Sequence, residues 1–347
     1  MPKDLRRATS ADVAALAGVS RTTVSFVLND RGVGIPDATR QRVLDATARL
    51  GYHPHHSAQG LAGGRSHTLG LVLRQSPEQV AGDALLVETL RGFVTAARSG
   101  QYRVLVESLA LGIGSYGDLV RSSRTDGVVV SGPRSDDEEL AALVEDGYPV
   151  VIQGSLPGVR APSVDVDNVA SSRLAVEHLV GLGHRRIACI TNAPLQYTAA
   201  SERRDGYKQA LDAAGLAYDP ILVAEGAYDA ASGHRAIAEL LRSGRPDAVF
   251  VASDVVALGA IGGLREAGLR VPDDVSIVGF DDIPLAGFFD PPLTTVHLPA
   301  YDLGQALGVA LIDQIAARHV AARTLLPTEF VVRGSTRARS QPQRSGP

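Results

Sequence analysis

Apolar residues recur at helical spacing over the first fifty positions and in strand-like runs thereafter. Val13, Leu16, Val19, Val24, Val27 and Leu28 form one apolar face across a helix pair and leave Arg21, Thr22, Ser25 and Asn29 on the other. Thr9 with Asp12 three residues on matches a capping box, and Ser20 is a natural N-cap for a helix that begins at Arg21. Between them Gly18 supplies the positive φ a tight turn needs, and Ala14 is small enough for two helices to cross. A third helix is predicted from Pro36 to Leu50, with Pro36 and Asp37 at its start and Gly51 as its stop. The pattern is a helix-turn-helix, a geometry that docks its second helix in a DNA major groove.

From about Ser66 the period changes. Short apolar runs predict strands at Leu69–Leu73, Val104–Val106, Gly127–Val130, Val150–Ile152, Ile187–Ile190, Ile221–Val223, Ala248–Val251 and Ser276–Gly279. Helical stretches fall between them near 84–98, 136–146, 169–182, 201–214, 230–242 and 254–267. This alternation predicts parallel sheets covered on both faces, with ligand sites at the carboxyl ends of strands. So many strands point to two sheets rather than one.

Charge sharpens the division. Residues 1–65 carry nine Lys and Arg against five Asp, or +4, which leaves −8 for the rest of a 347-residue chain whose formal charge is −4. Positive charge is concentrated where phosphates would lie, and the acidic body discourages nonspecific nucleic-acid binding. A 45% hydrophobic content supports a substantial core. The single cysteine, Cys189, lies in the run Ile187–Ile190 and reads as a buried, inert thiol. No apolar run approaches a membrane span, and the N-terminus lacks the apolar stretch of a signal peptide. The expected compartment is the cytoplasm.

Several motifs together carry a resemblance. They are the helix-turn-helix from Asp12 to Asn29, Gly51-Tyr52-His53-Pro54, the stretch from Val169 to Gly183-His184-Arg185-Arg186-Ile187, Arg203-Arg204-Asp205-Gly206-Tyr207, Val278-Gly279-Phe280-Asp281-Asp282, and Pro292-Leu293-Thr294-Thr295-Val296. With these the chain resembles the lac repressor (LacI/GalR) family of bacterial transcription regulators from about Thr9 to Arg333. The resemblance implies an all-α helix-turn-helix headpiece at 1–53 and a hinge helix or linker at 54–66. It also implies an α/β effector-binding and dimerisation core of the type I periplasmic-binding-protein kind at 67–337. Its N-subdomain would hold about 67–167 and 299–323 and its C-subdomain about 168–298 and 324–337, with chain crossings near Asp167, Pro299 and Arg323. A polar tail, 338–347, is expected to be disordered; it carries no leucine heptads, which favours a dimer over a tail-mediated tetramer.

Members of this family bind pseudo-palindromic operator DNA as homodimers, with hinge helices in the minor groove between half-sites. Arg21 and Thr22 are then the candidates for base contacts, with Thr9, Thr23, Ser25 and Asn29 toward phosphates and Ser20 also counted at the DNA surface. Phe26 stands where many relatives have Arg, and its ring would meet either a thymine methyl or the core. Leu61 aligns with the apolar wedge that unstacks a base step. His55, His56 and Gln59 depart from the usual hinge residues, and Gly60 weakens an isolated helix. The run His53-Pro54-His55-His56 reads as solvated or phosphate-facing histidines rather than a metal site, because Pro54 breaks the spacing and no carboxylate cluster accompanies it.

In the core, Arg203 and Asp281 match the family's cleft residues, one a rigid donor fork and the other an acceptor, an arrangement that suits a sugar or a nucleobase. Tyr197 and Tyr228 are expected at the effector, Tyr228 stacked on a ring face. Ser253 and Asp254 follow a strand end where ligands sit. Arg74 stands where relatives often carry an aromatic, and it would suit an anionic ligand. Two other classes compete. Gly112-Ile113-Gly114-Ser115-Tyr116-Gly117 has the spacing of a dinucleotide loop, but the following strand ends at Ser131-Gly132 without the acidic residue that would hold a ribose. A sugar-binding protein without a transcriptional role would share the core, but not the N-terminal reader. The expectation is a non-enzymatic, cofactor-free repressor controlled allosterically by a small sugar-like effector.

Overall fold

The computed structural model describes residues 8–28, 34–52, 65–109, 115–121 and 124–339. The chain divides into two compact units, Met1–Ser66 and His67–Pro347. The first consists of α1 (Ser10–Ala17), α2 (Arg21–Leu28) and α3 (Asp37–Arg49). Its starts are chemically marked. Asp12 donates its backbone N–H to Thr9 Oγ1 at 3.3 Å while its carboxylate accepts the Thr9 N–H at 2.8 Å, and Ser20 Oγ accepts the Thr23 N–H at 3.1 Å. Gly18 closes α1 at φ 64°, the left-handed geometry the turn requires. Val13, Ala14, Ala17, Val24, Val27, Val43 and Ala46 form the buried core. Leu16, expected on that face, instead remains 45% exposed, because its position on α1 points past the seam between the helices.

The second unit opens with β1 (Thr68–Leu73), α4 (Pro77–Gly82), α5 (Leu86–Ser99), β2 (Arg103–Ser108) and α6 (Tyr116–Arg121). There follow β3 (Gly127–Ser131), α7 (Glu138–Glu145), β4 (Val150–Gln153), β5 (Ser163–Val166) and α8 (Asn168–Gly181). The chain then forms β6 (Ile187–Ile190), α9 (Thr198–Ala213), β7 (Val223–Ala224), α10 (Ala230–Arg242), β8 (Ala248–Val251), α11 (Asp254–Glu266) and β9 (Ser276–Val278). It finishes with β10 (Thr295–His297), α12 (Ala300–Ile315), β11 (Arg323–Leu326) and β12 (Glu329–Val331). One sheet has six strands in the order β11-β5-β4-β3-β1-β2, and a second has four in the order β7-β6-β8-β9; every pairing within them is parallel. An antiparallel pair, β10 with β12, completes the set.

Two sequence expectations need correction, and one helix was not expected. Residues 220–222 form a 3₁₀ turn, capped by Asp219 on the Ile221 N–H at 3.1 Å, so only Val223–Ala224 joins the sheet. Pro220 has no N–H to give a ladder, which explains the turn. The chain leaves the six-stranded sheet after Leu326 rather than at Arg323, since Arg323–Leu326 pairs along its length with Ser163–Val166. The helix Ala300–Ile315, unforeseen in the sequence, packs closely on α5: a methyl group at Gly304 would overlap the Thr89 carbonyl, and one at Gly92 the Tyr301 carbonyl.

The motif glycines have the same role. A side chain at Gly206 would strike the Val169 carbonyl, so the glycine lets α9 lie against α8. At Gly279 it would overlap Asp254 Oδ1 and Leu293, so the end of β9 approaches the first turn of α11 only with glycine there. Replacing Gly279 with Ala is expected to destabilise the core by about 2 kcal/mol or more, an overpacking cost with the buried Asp254 carboxylate and the Leu293 side chain on the receiving side. Denaturant unfolding followed by circular dichroism measures it, and a change below half a kcal/mol would contradict this packing account.

Candidate functional site

The first candidate surface is the outer face of α2. Arg21, Thr22, Ser25 and Phe26 are exposed there while Val24 and Val27 are buried, as two turns of amphipathic helix dictate. Phe26 is 46% exposed and so is not a core residue. Thr9, Ser20 and Thr23 sit at helix starts, where their hydroxyls are engaged in capping: Thr9 with Asp12 Oδ2 at 2.7 Å and Ser20 with Thr23 at 2.9 Å. Asn29, His55, His56 and Leu61 lie outside the described residues.

The second candidate is a cavity of about 130 Å³ in the core unit. Its polar lining comes from just past the carboxyl ends of strands in both parallel sheets, where backbone leaves the ladder and side chains are free to face a ligand. Gln75 follows β1, and Gln153 and Asp165 lie at the ends of β4 and β5; Asn192 follows β6, Ser253 follows β8, and Asp281 follows β9. Arg203 reaches in from α9.

Arg203 is held on four sides. It donates from Nε to Asn168 Oδ1 at 2.9 Å and from NH1 to the Ala252 carbonyl at 2.7 Å, pairs with Asp281 Oδ1 at 3.3 Å, and stacks over the Phe280 ring at 3.8 Å. Such a guanidinium is oriented before any ligand arrives. Asp281 adopts φ 115°, a strained backbone for a residue with a side chain, which turns its carboxylate toward Arg203. Burial pushes its pKa up to about 6, with Arg203 opposing the shift. Burial pushes Asp165 up to about 7, and burial likewise raises Asp83.

Of the seven expected effector residues, Arg203, Tyr228, Ser253 and Asp281 line this cavity. Tyr228 is also left-handed, at φ 65°, and its backbone N–H donates to the Asn192 carbonyl at 2.8 Å. The other three do not line it. Asp254 is fully enclosed: Oδ1 accepts from Thr295 at 2.7 Å and Oδ2 from the Ile283 N–H at 3.0 Å, so it ties α11 to the loop that carries Asp281. Arg74 turns away, its Nε 2.9 Å from Asp137 Oδ2 and its NH1 donating to the Leu109 carbonyl at 2.9 Å, which removes the basis for an anionic ligand there. Tyr197 donates to the Arg74 carbonyl at 2.7 Å and meets Tyr228 edge-on at 5.3 Å between centroids. It braces the Tyr228 ring.

Sequence reasoning missed Asp83, Gln75, Gln153, Asp165, Asn168 and Asn192. A signal existed for part of this set: Asp165 and Asn168 flank Asp167, whose carboxylate caps α8 at the Ala170 N–H at 2.9 Å, and strand-to-helix junctions are where polar cavity residues gather. The others are isolated polar residues without a motif.

A helix-turn-helix unit attached to a core of two parallel sheets with a cavity at their carboxyl ends defines a DNA-binding regulator with a periplasmic-binding-protein-like body. Comparison with known proteins agrees. Residues 9–55 match the profile of bacterial regulatory proteins of the lacI family, and residues 176–336 match the periplasmic binding protein-like domain. The chain is 36% identical over 337 residues to the transcriptional regulator CelR of Thermobifida fusca, spanning 95% of this chain and 98% of that protein. Among solved structures, the lac repressor dimer bound to operator and an anti-inducer superimposes with a TM-score of 0.81 at 30% identity, covering 96% of this chain and all of the other. The CelR–cellobiose complex does so with a TM-score of 0.74 at 36% identity, covering 95% of this chain and all of that one. The chain therefore belongs to the LacI family of transcriptional regulators.

Two outcomes follow from this geometry. Arg21→Ala is expected to cost about 1–3 kcal/mol in operator discrimination while changing the salt slope little, measured by competition binding against random duplex at several salt concentrations; a uniform loss with a shallower slope would make Arg21 a phosphate contact. Asp165 and Asp281 bind protons more tightly folded than unfolded, so their contribution to stability is fully present below about pH 4 and is lost as pH rises through about 6 to 7. The melting temperature of the ligand-free protein is expected to fall between pH 5 and pH 8, and Asp165→Asn to reduce that fall.

Proposed function

We propose that this regulator is a cytoplasmic dimeric repressor, and that a small polyhydroxylated effector, bound between the two sheets, sets its affinity for a pseudo-palindromic operator. The observation that carries the reading is the pre-oriented Arg203, fixed by Asn168, the Ala252 carbonyl and Asp281 at the edge of a cavity that both sheets line. A ligand held there touches Gln153 and Asp165 on one side and Asn192, Ser253 and Asp281 on the other. It therefore favours whichever arrangement of the two subdomains brings both sets within hydrogen-bond reach. Only that difference in affinity between arrangements can shift the protein, and a coupling of about 1–3 kcal/mol suffices for regulation.

The solved relatives support the parts of this reading in turn. CelR has been captured with cellobiose, and the lac repressor as a dimer on its operator. Residues on α2 that face solvent supply the reading surface, and the basic balance of the first 65 residues supplies the nonspecific attraction. DNA in the same compartment is a condition of the function.

Arg203→Ala and Asp281→Ala are expected to retain operator binding and lose its response to effector. Electrophoretic mobility shift with operator duplex, with and without a metabolite that releases the wild-type protein, reads this directly. Full release of either variant by that metabolite would refute the site.

A further inference from the structure

The start of α9 is joined to the six-stranded body by contacts between protein groups alone. The segment that follows β3 runs antiparallel to the one that leads into α9. There the Ser135 N–H donates to the Gln196 carbonyl at 2.8 Å and the Thr198 N–H to the Pro133 carbonyl at 3.2 Å, so Arg134 and Tyr197 face each other as an antiparallel bridge. Further along the helix, Ser155 Oγ, just past β4, donates to Glu202 Oε1 at 2.5 Å, and the other Glu202 oxygen accepts from the Asn168 amide at 3.1 Å. The seam therefore runs from Asn168, where the chain enters the second body, along the first turns of α9 and out to Tyr197.

Tyr197 closes its outer end. The phenol donates to the Arg74 carbonyl at 2.7 Å, and the Arg134 guanidinium lies over the ring at 5.0 Å. Tyr197 and Arg134 are each 7% exposed, so these contacts are made out of bulk solvent. The accepting residue is itself fixed: the Arg74 side chain is held by Asp137 and the Leu109 carbonyl, and Asp137 also accepts from the Tyr116 phenol at 3.0 Å. A buried phenol whose donor is spent on a pinned carbonyl of the opposite body contributes nothing to the cavity lining. Its bond is one that parting the two bodies must break, at the cost of a buried acceptor left unmet.

The two bodies also supply the two walls of the cavity. Resting on the effector reading above, we propose that the seam is a latch, which holds the subdomains together before an effector binds, with Tyr197 as its outer bolt. The effector then adds to a preset balance instead of creating one. Latch strength sets the fraction of molecules in the shut arrangement, and with it the apparent affinity for any ligand that needs both walls. Tyr197 is on this account a positioning residue that tunes the response without touching the ligand.

Hydrogen exchange of the full-length protein without added sugar tests this. The Ser135 and Thr198 amides are expected to be protected, and Tyr197→Phe, which keeps the ring and removes only the donor, to speed their exchange about fivefold. A thiol elsewhere in the cavity separates a latch from a local brace. Cys189 is fully buried, and burial pushes its pKa up to about 12, so it adds no background. Ser253→Cys, or Thr89→Cys on the other wall if the first fails to fold, places a reactive cysteine away from the seam. Its alkylation by iodoacetamide is expected to quicken by a similar factor when Tyr197→Phe is added. Unprotected amides in the wild type overturn the proposal, as does faster exchange at the seam with unchanged alkylation.

A second variant distinguishes the latch from the reading it rests on. In an antiparallel pair of this kind the Cα atoms stand about 4.5 Å apart, within the span of a disulfide, so Arg134→Cys with Tyr197→Cys locks the latch when oxidised and leaves it broken when reduced. Operator duplex selected from a random pool is expected to bind the two forms with affinities at least about fivefold apart. Equal affinities, with the exchange and alkylation results as expected, would leave the latch standing and sink the effector reading, in which the arrangement of the subdomains governs DNA.

Discussion

The contact on which the cavity depends is the clamp around the Arg203 guanidinium. A buried guanidinium is tolerated only where its donors are met and its charge is balanced, and here Asn168, the Ala252 carbonyl, Asp281 and the face of Phe280 do so. Those partners come from three different stretches of chain: the start of α8, the segment after β8, and the loop after β9, which supplies both Phe280 and Asp281. Fixing one side chain therefore fixes the mutual placement of three strand ends. Asp254 secures the same loop from beneath by accepting from Thr295 and the Ile283 N–H, and burial, with Asp281 nearby, drives its pKa well above the ordinary carboxylate range.

That clamp explains why the Val278-Gly279-Phe280-Asp281-Asp282 segment reads as a motif. Gly279 admits the Asp254 carboxylate, Phe280 lies under the guanidinium, and Asp281 takes a left-handed backbone to pair with it. Asp282 turns outward to Arg333 at 2.7 Å and His297 at 3.1 Å, anchoring the antiparallel strands β10 and β12 beside the site. Four consecutive residues thus have four different physical roles. Substituting one transmits to the others through a shared cavity, which is why effects there are not additive.

Much of the architecture was legible because its signals are local. The capping box at Thr9, the Ser20 cap and the Gly18 turn mark the headpiece, and apolar runs such as Ile187–Ile190 and Ala248–Val251 appear where the strands are. What escaped was set by distance. The helix Ala300–Ile315 contains Gly304 and Gly308, which read as breakers in isolation but are there to admit α5. The strands Ser163–Val166 and Arg323–Leu326 are four residues each and carry Asp165 and Arg323 in them, so only pairing with neighbouring strands makes them strands. In the candidate site, Arg203 and Asp281 stood out through motifs, whereas Gln75, Asp83 and Asn192 have no local signature. Parallel topology alone brings them together. Asp254 and Arg74 show the converse error: strand-end position suggested a ligand, and tertiary partners claimed both side chains.

The division of labour follows from these two scales. The headpiece is built from short-range chemistry, so its few apolar residues and caps determine its form with little dependence on the rest of the chain. The core is built from long-range pairing, and its cavity exists only where two sheets present their carboxyl ends to each other. Strained backbone at Tyr228 and Asp281 is concentrated at that meeting point. Strain persists only where surrounding contacts overdetermine it, and at Asp281 the Arg203 pair and the contacts of its loop supply them. A ligand that touches the strand ends of both sheets there stabilises one arrangement of them over another. That is the physical condition for a small molecule to govern a distant reading helix.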